Sequence, residues 1–413
     1  MPMHTGLVCL LLAGVSFVVL SFAVPPTRAS DDSQPPDPAQ IEAARPSASA
    51  LSDFGLKLTV DMAAKQPREN VFVSPLSIFL ALSMAETGSD GKTRSAIRHG
   101  LAVPENLNED QLHNSASALL KSLHAQTGVQ LAIANALWSD RSLPLSPQYV
   151  ERCKKLFAAQ ATSLNFHEPS SANTINDWVS QNTRGKIPNI VSPDVLRQAK
   201  AVLTNAVYFH GRWEHQFDKK ETHAAPFHLA SGQAKQVQMM HAGSISRAYR
   251  KGPGFEAAAL DYEGSQIKFL AVLPDHGKTP EEVLRNLPLK SLLSSGLNDQ
   301  LDLRLPKFTL DFSANLNQQL KAMGMGIAFD PNNGGFTPMG SPDFYISDVL
   351  HKTHVEVDEE GTVAAASTAI VMKALAMPPG EKKTLVFDRP FAVVLCDSQT
   401  GAVLFSGVVY DPK

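Results

Sequence analysis

Few residues in this chain stand at spacings that support covalent chemistry. "GSDGKT", Gly88 to Thr93, ends like a phosphate-binding loop. That motif needs a glycine five positions before Gly91, and Glu86 stands there. No apolar strand leads into it, so it reads as a helix-ending loop. There is no HExxH, no CxxC pair and no GxSxG elbow, which leaves zinc and serine hydrolysis without a motif. His210 and His215 flank Trp213 with no Asp or Cys at ligand spacing. The expectation is a protein that is not an enzyme and needs no metal or other cofactor. One segment does ask for a specific mechanism. "EEGTVAAASTA", Glu359 to Ala369, runs on to Val371 with no charge, proline or glycine after Gly361, and most of it is Ala, Ser and Thr.

That composition suits a stretch able to live both as an exposed loop and as a new central strand of a sheet. In the strand state Thr362, Ala364, Ala366 and Thr368 share one face, and Val363, Ala365, Ser367 and Ala369 the other. A charge on the inner face would be buried unpaired. A proline would remove a ladder donor. Large apolar side chains would promote aggregation while the loop was exposed. Composition alone equally allows an Ala-rich linker or a short helix.

A strand-entry mechanism requires a large sheet, and the chain has material for one. "THVEVD" just before the segment alternates like a strand. "QLAIANALW", "AVLTNAVYFHGRW" and "IKFLAVLPD" are near-continuous β runs, as expected for strands buried on both faces. "LCDSQTGAVLFSGVV" reads as a hairpin. Helical stripes run through "SALSDFGLKLTVDMAAK", through the stretch after "NVFVSP", and through "NTINDWVSQNTRGKI", where Ile175, Trp178, Val179 and Asn182 share a face. The result is a mixed α+β fold.

The 413 residues are 43% hydrophobic and 19% charged with net charge -3, an ordinary globular balance with no footprint for nucleic acid. Of three cysteines, Cys9 lies in an N-terminal apolar run, and Cys153 and Cys396 read as buried free thiols. Residues 1–29 carry that run, Gly6 to Val24, followed by "TRAS". They read as a signal peptide, with an uncleaved anchor as the alternative; either implies a secreted, periplasmic or otherwise extracellular protein. Residues 30–50 read as a disordered Pro/Ala/Ser-rich linker. Residues 51–413 read as one domain.

The segment and its surroundings resemble the hinge and reactive loop of the serpins, a family of serine protease inhibitors. "HKTHVEVDEEGTVAAASTAIV" follows that family's pattern of acidic pair, Gly, Thr and small residues. "NVFVSPLSI", with Asn70, Ser74, Pro75 and Ser77, resembles the entry to a buried serpin helix. "LTNAVYFHGRWEHQFD", with Asn205 and Trp213, resembles a central strand of the main sheet. "INDWVSQNTRGKI", "LPKFTLDF", "RPFAVVL" and "FSGVV" extend the likeness over 51–413. Two departures are visible: "GGFTPM" replaces an acidic "DFS" stretch, and Val363 replaces a glutamate.

The resemblance implies a fold of three β-sheets, eight or nine helices and an exposed loop. It implies a monomeric suicide-substrate inhibitor whose partner is a serine protease held as a covalent acyl-enzyme. The hinge would be Glu359, Glu360, Gly361, Thr362, Val363, Ala364, Ala365, Ala366, Ser367 and Thr368. The reactive bond, fourteen residues past the hinge glycine, would join Leu375 to Ala376, which suits a chymotrypsin- or elastase-like target. Lys373 is a rival for a trypsin-like enzyme. Ser74, Ser77, Asn205 and His351 match the family's shutter, and Trp213, Lys307 and Glu359 its breach, with Lys307 and Glu359 forming a salt bridge. The basic heparin-binding helix of some serpins has no counterpart in "NEDQLHNSASALLKSLHAQTG". The alternative is a non-inhibitory serpin serving as a carrier or chaperone; those commonly have bulky or charged hinges.

Overall fold

A computed structural model describes residues 37–293, 298–362 and 383–413. Ten α-helices occur among them: Pro38–Lys65 (α1), Pro75–Thr87 (α2), Gly91–Gly100 (α3), Glu109–His124 (α4), Pro147–Phe157 (α5), Ser170–Asn182 (α6), Pro193–Gln198 (α7), Pro280–Arg285 (α8), Leu289–Leu293 (α9) and Asn317–Leu320 (α10). The strands are Val71–Val73 (β1), Val129–Asp140 (β2), Gln160–Leu164 (β3), Ala201–Arg212 (β4), His223–His228 (β5), Ala234–Gly252 (β6), Phe255–Asp261 (β7), Ile267–Pro274 (β8), Asn298–Pro306 (β9), Phe308–Asn315 (β10), Asp348–Val357 (β11), Gly361–Thr362 (β12), Lys383–Val386 (β13), Phe391–Asp397 (β14) and Val403–Val409 (β15).

Six strands form one sheet in the order β10-β11-β12-β4-β2-β3, and nine form the other, β1-β15-β14-β8-β7-β6-β9-β13 with β5 also on β6. The three expected sheets are therefore two by hydrogen bonding among the described residues. The physical reason is the length of β6. Its first half carries β5 and its last turns carry β7, while β9 runs beside it across a register shift between His241 and Ser244. A bent ribbon thus joins what would otherwise be separate sheets.

The six-stranded sheet is covered on both faces, which explains why β2 and β4 lack alternation. Behind it, α2 is buried along its whole length. Its start is fixed by Ser74, whose Oγ accepts from the Ser77 amide at 3.3 Å, with Pro75 at the first helical position. In front, Val179 of α6 and the following Ile187 pack on Ala134 and Ala206, small residues that let the covering segment lie close. Trp138 is buried on this face with Ile175, and its indole donates to Thr204 Oγ1 at 2.8 Å. Asn182, read from sequence as part of the packed face, is exposed.

The linker reading fails from Pro38 onward, because α1 begins there. Asp37 caps it, accepting from the Ala39 amide at 3.0 Å. Ala44, Ser47 and Ala48 recur at helical spacing and are buried. Ser47 donates through its hydroxyl to Leu112 O and through its amide to Ser115 Oγ, both on α4. Small residues that read as a flexible tether are the ones that allow two helices to pack closely. The "GGFTPM" stretch closes as a short 3-10 turn, Thr337–Met339, with Phe336 fully buried. Residues 1–36, with the signal-peptide reading, lie outside the described residues.

Candidate functional site

The strand β11 leads into a tight turn. Asp358 makes it: its Oδ1 accepts from the amides of Glu360 (2.9 Å) and Gly361 (3.1 Å), and its own amide donates to Gly361 O. The chain then reverses, and Gly361 and Thr362 enter the sheet as β12. They pair antiparallel with β4, Gly361 opposite Arg212 and Thr362 opposite Gly211, and with β11 through Val357. Glycine is required here, because a Cβ on Gly361 would lie 2.0 Å from Gly211 O. Below this wedge β11 and β4 pair directly and in parallel, from Asp348 opposite Val202 to His354 opposite Tyr208. The sheet is thus parted at one end and closed along the rest.

The parted end is held by named groups. Trp213 donates through its indole to Asp358 O and through its amide to Glu360 O, both at 2.9 Å, and the Phe217 amide donates to Glu359 O at 2.9 Å. Lys307 Nζ meets Glu359 Oε2 at 3.0 Å, with the carboxylate side chain only 5% exposed. Burial pushes the Glu359 carboxyl up, but the hydrogen bonds it accepts, Lys307's foremost, hold it below the usual range. Lys219 pairs with Glu360. The Tyr262 ring stacks on Trp213 with centroids 4.7 Å apart, and its hydroxyl bonds Thr362 Oγ1 at 2.6 Å. Thr362 has no exposed surface.

A second polar cluster sits lower, where β4 and β11 are still joined. His351 and Asn205 are register partners. His351 Nε2 accepts from the Ser74 amide at 3.1 Å, so Nδ1 carries the proton and donates to Asn205 Oδ1. Asn205 Nδ2 donates to Ser77 Oγ and to Asn135 Oδ1, and Ser77 Oγ donates to Asn135 Oδ1 at 2.7 Å. Ser74 Oγ donates to Leu404 O. Burial pulls the imidazole down to about 3, so it is neutral at pH 7.

The chain matches the profile of the family described as "Serpin (serine protease inhibitor)" over residues 49–412. It belongs to the serpin family. Serpin B11 of Mus musculus is 31% identical over 392 residues, covering 89% of this chain and all of that one. Among solved structures, human thyroxine-binding globulin complexed with thyroxine shares 25% identity at a TM-score of 0.82, covering 90% of this chain and all of that one. Tengpin, a thermophilic serpin in the native state, shares 27% identity at a TM-score of 0.78, covering 91% of this chain and 95% of that one.

This serpin brings Ser74, Ser77, Asn205 and His351 into one hydrogen-bonded group, and Trp213, Lys307 and Glu359 into another. Asn135 was missed in the first group. Its signal is visible in hindsight: it is the lone polar residue in the apolar run "LAIANALW". Tyr262 was missed in the second, and no local pattern marks it, since it lies 100 positions from Thr362. Asp358, the turn-maker, was passed over beside the more conspicuous glutamates. The hinge residues Val363, Ala364, Ala365, Ala366, Ser367 and Thr368, the bond between Leu375 and Ala376, and Lys373 lie outside the described residues. Cys153 and Cys396 are free and buried, and burial pushes both thiols up, that of Cys153 to about 12, which disfavours the reactive thiolate. No helix among the described residues is long and apolar enough to cross a membrane.

Proposed function

We propose that this serpin traps serine proteases by entering its own cleaved loop into the six-stranded sheet. The observation that carries the reading is β12: Gly361 and Thr362 already lie between β11 and β4, above strands that are otherwise closed on each other. A protease serine attacks the Leu375 carbonyl, the amine of Ala376 departs, and an ester links loop to enzyme. The freed end then lengthens β12 between β11 and β4. Carrying the observed register downward brings Thr368 level with Asn205 and His351. The lower cluster then acts as the shutter that parts, and the upper one as the breach that guides entry. The tethered protease is pulled away and its oxyanion donors are displaced, so ester hydrolysis stalls.

Leu375 suits a large apolar specificity pocket, which supports a chymotrypsin- or elastase-like target. The uncharged 362–371 stretch favours insertion over the carrier reading, which the likeness to thyroxine-binding globulin supports. The apolar run at 6–24 supports export. Incubating the protein with chymotrypsin, elastase, subtilisin and trypsin tests the proposal. An SDS-resistant adduct is expected with one of the first three, together with a released peptide beginning at Ala376. A peptide beginning at Ala374 would move the reactive bond to Lys373. Cleavage by all four with no adduct would establish the carrier reading instead.

A further inference from the structure

Arg247, on β6, is a buried cation that neither cluster uses. It is 6% exposed. Its Nη2 donates to His215 O at 3.1 Å, and its guanidinium carbon lies 5.4 Å from the centroid of the Phe217 ring. Its Nε has no partner, and no carboxylate among the described residues bonds it. Burial pulls the group down to about 10 despite the charge of Asp261. A guanidinium offers five donors, and burying one with so few acceptors opposes folding. Such a group persists where its few contacts matter.

Both contacts fall on the short segment that follows β4. That segment is the one holding the hinge turn, through the Trp213 amide on Glu360 O and the Phe217 amide on Glu359 O. Arg247 itself belongs to the nine-stranded sheet. We propose that Arg247 is a positioning residue for strand insertion, clamping the Trp213–Phe217 segment to the nine-stranded sheet so that the turn Asp358–Gly361 stays docked while β12 lengthens. The inference rests on the insertion reading above. Its logic is geometric. Because β12 is antiparallel to both neighbours, lengthening it leaves the turn where it is, so the turn is the fixed end of a growing strand. Slack at a fixed end lets the strand slip out of register, and deacylation gains time. Lysine could reach the His215 carbonyl but could not lay a planar cation on the Phe217 ring.

The test compares wild type, Arg247→Lys and Arg247→Met against a protease that the wild type traps. Losing one charge-assisted hydrogen bond should slow insertion about tenfold. Arg247→Met should therefore give much more cleaved, untrapped inhibitor per adduct, with an unchanged initial cleavage rate, and Arg247→Lys should fall between. Hydrogen exchange of the Trp213 and Phe217 amides in the uncleaved protein should speed up in Arg247→Met by about tenfold. That second readout holds even where wild type forms no adduct, so failure of the inhibitory reading is separable from failure of this one. An Arg247→Met protein with wild-type partitioning overturns the proposal. So does one that loses adduct only in proportion to a fall in its melting temperature, or one whose two amides exchange as in wild type. Should Arg247→Met not fold, Arg247→Lys decides by the same readouts.

Discussion

Thr362 is where the residue-scale case is sharpest. It is fully buried, and its hydroxyl is bonded to Tyr262. Thr362→Arg would bury an unpaired charge at several kcal/mol, so the hinge should be expelled from the sheet. Cleavage of the loop should continue at a similar rate while adduct yield collapses; Thr362→Ser, which keeps the hydroxyl, should still trap. An arginine variant with unchanged stoichiometry on gels would mean that this position does not control entry. His351 supplies a pH test. Its folded pKa, about 3, lies below the ordinary value near 6.5, so its stabilising contribution is complete above that value and declines as pH falls toward 3. Going from pH 7.5 to 5 should cost about 2 kcal/mol from this one group. Guanidinium unfolding of wild type and His351→Gln at both pH values checks it: the drop should be about 2 kcal/mol smaller in the variant. Equal drops would show that the imidazole is not held neutral.

Among elements, the segment joining α6 to α7 carries a prediction of its own, because on the insertion reading it spans the line along which β12 would grow. It is tied to β2 through Arg184 and Gln130. On the other side it is tied to β11 by Lys186 on Glu356 at 2.9 Å, and by Lys352 Nζ on Asn189 O and Oδ1 at 3.1 and 3.0 Å. Parting β11 from β4 must stretch or break one set. Lys186→Met removes a half-exposed pair worth about 0.5 kcal/mol, so adduct formation should quicken about twofold with little change in melting. Rapid-mixing kinetics with a trapped protease would read this; a slower variant would mean the segment guides the strand instead of restraining it. No sequence reading anticipated these ties, since each joins residues far apart in the chain. What was legible is just as specific. The uninterrupted apolar runs of β2, β4 and β8, the Ser74-Pro75 start of α2 and the final hairpin all carry local patterns. The start of α1 was misread because Ala and Ser at 44, 47 and 48 look like linker until α4 is placed against them. That the expected sheets join through β6 was not legible, because a strand's bend leaves no local mark.

At the scale of the molecule, the insertion reading requires the sheet to hold a weaker arrangement in place of a stronger one. The centre of the six-stranded sheet is a parallel pairing of β11 with β4 over Asp348–His354 and Val202–Tyr208, and parallel pairs are slightly less stable than antiparallel ones. A lengthened β12 would replace that one interface with two antiparallel ones. About ten new strand residues at roughly 1 kcal/mol per hydrogen bond give on the order of 10 kcal/mol, comparable to the whole stability of an ordinary domain. The uncleaved form is then held by a barrier, and its working stability is a rate. On the insertion reading Tyr262, Asn205 and His351 would be parts of that barrier, since their bonds would have to break or re-form as the strand passed. Cleaving the 363–382 segment, for example with a protease used in trace amounts, removes the covalent restraint on the free end. The cleaved protein should then melt tens of degrees above the intact one, and its melting should lose any dependence on scan rate in the range where the intact form shows it. In Thr362→Arg the gain should shrink, because the first inserted residue carries an unpaired charge. Equal melting temperatures for cleaved and intact wild type would mean that no strand is added, and would leave this serpin with the fold of an inhibitor and the work of a carrier.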